Sequence, residues 1–324
     1  MRACVIAILI AASPAAASVP ARLEGSAPSV LSGLLPLWLK GFAASQTAVG
    51  VDVPPPFGPP QGSLSPRLEA FLEGRIDFAL MSRKLADRDL AQFERSHGYR
   101  PLVIPVAGGS WKSFGFVDPV AVIVNSKNPV PGLSFAQLDA IFSMSRRRGH
   151  APVRFWNELG AERLGKQPIH LAGGASWASE DSARASVFRE RVLLGGTWRN
   201  DSEAASSGTE QEVPSRVARD RLAIGFTGLG HLLPGTRAVP VARSGGRFVA
   251  PTYAAVAGAR YPLTRTIDIV VARRPGTCLS PELLGFIRYL VGPSGQKAIR
   301  AEGHFLPLTR AQSRGSWLRA SLCH

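Results

Sequence analysis

Apolar residues along this chain fall into two alternating kinds of pattern. Some recur at helical spacing; others form short consecutive or alternating runs. Leu35, Leu37, Trp38 and Phe42 make one stripe and predict a helix from Leu34 to Phe42, followed by a strand from Ala48 to Val53. The run Pro54 to Pro60 cannot be regular structure and reads as a loop. Ser65-Pro66 then opens a helix that Gly74 closes, and Ile76 to Leu80 reads as a buried strand. Pro119 to Asn125 is rich in β-branched residues, as are later strands at Ile169 to Ala172, Ala223 to Phe226 and Thr266 to Val271. Ser134 and Gln137 form a capping box for a helix that ends at Ile141 or Phe142, and Ser280-Pro281-Glu282 caps another that runs to Tyr289. Helices alternating with strands predict an α/β fold.

A length of 324 residues suffices for two globular lobes, each with its own core. Residues 1–17 read as a secretory signal: Arg2, then the apolar stretch Val5 to Ala12, then the A-x-A site Ala15-Ala16-Ala17. Cys4 leaves with it. Cys278 and Cys323 remain, either as two free thiols or, as expected in an oxidising compartment, as one bridge. The formal net charge of +15 could suit nucleic acid, but the arginines are dispersed and the secretory signal argues against such a partner. The one dense cluster, Arg146-Arg147-Arg148, reads first as a solvated loop and second as a surface-binding patch.

Motifs for catalysis are missing. The histidines lack metal-ligand spacing, and there is no C-x-x-C, no G-x-S-x-G and no P-loop. Instead, a small polar loop between strand and helix recurs. Gly25 to Val30 precedes the Trp38 helix, Gly62 to Ser65 precedes the Ala70 helix, and Met81-Ser82-Arg83 follows the Ile76 strand. Helix N-termini with adjacent hydroxyls bind anions, and a guanidinium suits an oxyanion. In open α/β sheets, ligands bind at such strand ends.

Several ordered segments carry a resemblance. Gly62 to Leu90, Phe93 to Val106, Asn125 to Ser143, Phe155 to Gly160, Leu222 to Gly230, Tyr261 to Arg265 and Gly303 to Leu308 resemble the periplasmic substrate-binding component of phosphate ABC transporters, the PstS-type family. The resemblance implies a periplasmic-binding-protein fold with a ligand cleft between lobes joined by crossover strands. Pro119 to Asn125 and Thr266 to Val271 look like those crossovers. On that basis lobe one holds residues 19–120 plus 262–324, and lobe two holds 121–261. Carried over by position, the ligand contacts are Ser29 and Val30 from the first loop, Ser63 from the second, and Ser82 and Arg83 from the third. The fourth loop departs from the pattern. It is about four residues longer, within the range where insertions cost little. The family's arginine position holds Gly174, and the stretch Ser182-Ala183-Arg184 stands where relatives have Ser-Gly-Thr. Arg184 either restores the missing charge from a new position or marks an altered site. Asp77, Glu180, Asp181 and Glu210 are the candidate carboxylates for accepting a phosphate proton.

The implied protein is a periplasmic monomer with no cofactor. It binds inorganic phosphate or a similar oxyanion and delivers it to the permease of a phosphate ABC transporter. A non-transport relative of the same fold with altered or weak anion binding stays open, with a secretion-associated, regulatory or attachment role. An enzyme, such as a phosphoester hydrolase in the same cleft, is the third class, and the sequence shows neither metal ligands nor an activated nucleophile for it.

Overall fold

A computed structural model describes residues 21–55, 66–113, 115–173, 182–199 and 212–323. In chain order the elements are β1 (Ala21–Ser26), α1 (Leu34–Ser45), β2 (Val49–Asp52), α2 (Pro66–Leu72), β3 (Phe78–Met81), α3 (Asp87–His97) and β4 (Leu102–Gly108). Next come β5 (Val120–Asn125), β6 (Leu133–Ser134), α4 (Phe135–Phe142), β7 (His170–Leu171), α5 (Ala183–Arg191), α6 (Val213–Arg219), β8 (Ala223–Gly228), β9 (Thr236–Ala238) and β10 (Val241–Ala242). The chain continues through α7 (Tyr253–Ala257), β11 (Thr266–Val271), α8 (Pro281–Val291), α9 (Pro293–Glu302) and α10 (Arg310–Ser321).

The strands form two main sheets. One has five strands in the order β2-β1-β3-β11-β4; the other has four in the order β7-β8-β5-β9. Both are covered on both faces, which explains the uninterrupted apolar runs in β5 and β11. In β3, Phe78 and Leu80 face a core with Trp38, Ile104 and Phe286, while Ala79 and Met81 face one with Phe71 and Phe93. In β5, Val122 and Val124 join Phe142, Trp156, Phe188 and Phe226, while Ala121 and Ile123 join Val213 and Val217.

The two strands expected to cross between sheets do not cross. Among the described residues, β5 pairs only with β8 and β9, and β11 only with β3 and β4. The chain crosses just before them, in described residues that include Gly109, Val117 to Pro119 and Tyr261 to Arg265. These lie side by side: Gly109 N donates to Arg265 O at 2.8 Å and Val120 N to Leu263 O at 3.1 Å. β-branched content reports burial, which both sheets supply, and does not report where the chain passes from one to the other. Gly109 permits the close approach, because a Cβ there would stand 2.1 Å from Val117 O and 3.1 Å from Arg265 O. Tyr261, fully buried, donates its hydroxyl to Val120 O at 2.9 Å. Burial pushes its phenol above the ordinary range, so it remains a donor.

The expected bridge between Cys278 and Cys323 is present, with Cα atoms 4.5 Å apart and a sequence separation of 45. It ties the end of α10 to the segment before α8. In chain-entropy terms, reducing it should cost about 2–4 kcal/mol. Urea unfolding with and without reductant measures this, and coincident transitions would show that the bridge contributes nothing. Among the described residues, no helix is long and apolar enough to cross a membrane.

Candidate functional site

β1 and β3 are parallel neighbours with Ser26 beside Ala79, so the loops that follow them leave the same end of the five-stranded sheet. After β1, extended Pro28 leads into a short 3-10 turn over Ser29–Leu31. Ser29 is exposed there, and Val30 is half-buried against the core around Trp38. After β3 comes Ser82, half-buried, whose carbonyl accepts a hydrogen bond from Arg265 Nη2 at 2.9 Å. Ser63 lies outside the described residues, as do the candidate carboxylates Glu180, Asp181 and Glu210 and the position Gly174. Asp77 takes a structural part, accepting from the backbone N–H of Glu24 in β1 at 2.7 Å.

From the other sheet, α5 supplies Ser182, Ala183 and Arg184. Ser182 is the N-cap, its hydroxyl accepting from Ala185 N at 3.1 Å, and Ala183 is the first helical residue. The far end of α5 is held by the arginine cluster. Arg148 donates to the carbonyls of Val192 (2.6 Å) and Arg191 (2.5 Å), and Arg147 to that of Leu194 (2.8 Å). The expectation of a merely solvated loop is corrected here: Arg148 satisfies carbonyls at the end of α5 and lies over the Phe135 ring at 5.2 Å, while exposed Arg147 bonds a carbonyl just beyond that end. The contact spans more than forty residues of chain, which a reading of local charge density does not register.

Arg184 enters a network built on Asp118, which is fully buried. Its Nη2 lies 3.4 Å from Asp118 Oδ1 and 2.7 Å from His231 Nε2. Because a guanidinium only donates, the imidazole nitrogen accepts, and the ring proton sits on Nδ1. Asp118 Oδ2 takes the backbone N–H of Gly230 at 2.7 Å. Gly228 must lack a side chain, since a Cβ would sit 2.3 Å from Asp118 Oδ2 and 2.7 Å from Arg184 Nε. Arg265, itself buried, reaches Asp118 O with Nη1 at 3.5 Å and Ser82 O with Nη2. A continuous path therefore runs Ser82–Arg265–Asp118–Arg184–His231, from the end of β3 to the start of α5.

The structure thus joins Ser82 to Arg184 and places Ser29 and Val30 at the same sheet end as Ser82. Arg83 turns elsewhere. Its Nη1 pairs with fully buried Asp89 Oδ2 at 3.0 Å and bonds Lys84 O at 2.9 Å, anchoring the start of α3. Asp118, Arg265 and His231 were not singled out from the sequence, although Arg265 closes the segment Tyr261 to Arg265 and His231 directly follows Leu222 to Gly230. A cavity of about 1020 Å³ lies between α3 and α5, lined by Lys84, Leu85, Asp87, Ser186, Arg189 and Trp198 among others, and none of the five residues of the path lines it. Asp87 of α3 and Arg189 of α5 pair across it at 3.0 Å. Two guanidiniums, Arg184 and Arg265, meet at Asp118 next to a capped helix N-terminus, and both kinds of group bind anions. Among the described residues, no group of His, Cys, Asp and Glu could hold a metal ion.

Two α/β sheets joined by two adjacent passages, with a charged cleft beside them, define a class of protein built around a cleft. The chain belongs to the PBP superfamily, whose domain model matches residues 12–294. The phosphate-binding protein PstS of Pseudomonas aeruginosa is similar: 28% identical over 297 residues, covering 90% of this chain and 85% of that one. Among solved structures, an ABC-type phosphate transport receptor from Vibrio cholerae has a TM-score of 0.53 at 18% identity, covering 88% of this chain and 100% of the receptor. PstS from Borrelia burgdorferi has a TM-score of 0.54 at 15% identity, covering 89% and 99%. These two likenesses show the fold, and the family resemblance read from the sequence segments agrees with it.

Proposed function

We propose that this protein binds an inorganic oxyanion, phosphate first, in the cleft and delivers it to the permease of an ABC transporter. The observation that carries the reading is the path from Ser82 to Arg184, which gathers a polar loop from one sheet, a helix start from the other and two guanidiniums. The similarity to the Pseudomonas phosphate-binding protein supports phosphate as the anion. In this reading Ser29, Val30, Ser63 and Ser82 contact the anion from one side and Ser182, Ala183 and Arg184 from the other. Arg83 joins them only by giving up Asp89. Residues 19–120 with 262–324 form one lobe and 121–261 the other. Residues 1–17 are a signal removed on export, and the mature chain works in the periplasm as a monomer, holding its ligand without catalysing a reaction.

Calorimetry on ligand-stripped protein tests this. Phosphate should bind with measurable heat and raise the melting temperature by mass action. Ser82→Ala should weaken binding by about 1–2 kcal/mol, the scale of a hydrogen bond to a charged group. Arg184→Ala should cost more. No heat and no thermal shift at millimolar phosphate would sink the reading.

One observation favours a second reading. Arg184 is already engaged by Asp118 and His231, so an anion must compete for it. A non-transport relative with weak anion binding would look this way, and absence of phosphate binding in the same experiment would select it.

A further inference from the structure

A second cationic pocket lies at the opposite end of α5 from Arg184. Its volume is about 170 Å³, and its lining includes Arg191, Arg243, Thr264, Arg265 and Thr266, the Arg265 guanidinium being bonded to Asp118 O and Ser82 O of the path already described. Arg191 is fixed in the wall: its Nη1 donates to the carbonyls of Pro262 at 3.3 Å and Thr264 at 2.5 Å. Its guanidinium is pushed below its usual range, first by burial, while Glu190 and Asp268 oppose the shift and the charge of Arg243 adds to it. Asp268 is itself taken by Lys84 at 3.6 Å and by the Thr266 hydroxyl at 2.7 Å. Arg243 is exposed, and among the described residues it makes no ion pair.

Two guanidiniums beyond that path thus line one small pocket, and one of them is largely out of water. Like charges held in such a place are costly unless an anion lies with them. At about 30 Å³ per water, the space holds roughly five or six waters, enough for a small tetrahedral ion that keeps part of its hydration. We propose that the pocket formed by Arg191, Arg243 and the Thr264–Thr266 passage is a second anion site, for a small divalent oxyanion, separate from the cleft. Two arginines offer such an ion paired donors as well as charge.

Crystals of the full chain soaked in selenate provide the test, because selenium is located by its anomalous scattering. A peak between Arg191 and Arg243 is expected. Arg243→Glu should remove it. Arg243→Gln should raise the selenate concentration for half-occupancy about tenfold, the loss of roughly one charge-assisted hydrogen bond. Arg243 is exposed and has no packing role, so both variants should fold. No peak in the pocket at saturating selenate, or an unchanged peak in Arg243→Glu, overturns the proposal. A peak in the cleft alone overturns it while leaving the proposed function intact. A peak in the pocket alone supports it and counts against the cleft.

Discussion

Replacing Asp118 with alanine is expected to destabilise the protein by about 3–5 kcal/mol, the usual result of removing one partner from a buried charge pair. The carboxylate is fully buried. Its loss strands the Gly230 N–H, which donates to it at 2.7 Å, and removes the Asp118 charge from the Arg184 side chain, which is 16% exposed. Asp118→Asn retains an oxygen for Gly230 and should cost less. On binding, that variant should move the other way: with the Asp118 charge no longer competing for Arg184, phosphate should bind more tightly. Urea unfolding followed by tryptophan fluorescence, with calorimetry on the asparagine variant, measures both. A loss below about 1 kcal/mol for the alanine variant would mean the pair is solvated and contributes little.

A comparable loss is expected at Gln296, far from the cleft. This buried side chain of α9 donates through Nε2 to Val106 O at 2.9 Å and Leu290 O at 2.7 Å, and accepts from Leu308 N at 2.7 Å. One amide therefore fastens β4, the end of α8 and the approach to α10. Gln296→Leu keeps the bulk and deletes all three bonds. At about 1–3 kcal/mol for each of the three buried groups left unpaired, the total should be at least about 3 kcal/mol. Chemical denaturation should show it as a lowered midpoint with an unchanged slope. An unaltered midpoint would mean that water replaces the amide at no cost.

Burial on two faces made parts of this fold legible. β11 falls on Thr266–Val271 and β5 on Val120–Asn125, as their apolar runs predict. The capping box at Ser134 and Gln137 is present, Ser134 Oγ accepting from Gln137 N at 3.1 Å. α5 was not legible as a helix. Its sequence ARASVFRER has a weak stripe, with only Ala185, Val187 and Phe188 buried, and its last carbonyls are satisfied by Arg148 from a distant segment. α10 buries only Ser316 and Ala320 and carries Gly315 in its interior. The site divides in the same way. Ser82 and Arg184 stand where local motifs place them. Asp118, His231 and Arg265 meet through contacts 66 residues apart for Asp118 with Arg184 and 147 apart for Asp118 with Arg265, which no local pattern carries.

The position of β11 bears on the order in which the chain can fold. The strands of the four-stranded sheet all lie between Val120 and Ala238, so that sheet can pair once this stretch has emerged. The five-stranded sheet cannot. Its strands β3 and β4 are joined only through β11, which arrives some 160 residues after β4. Until then both strands present unpaired backbone edges, the kind that draw neighbouring chains into aggregates. Such non-local pairing is also slow, because loop closure must precede the contacts that reward it. The earliest-made third of the protein is therefore completed by the latest-made third, and the two ends of the path from Ser82 to Arg184 come together only in that final step.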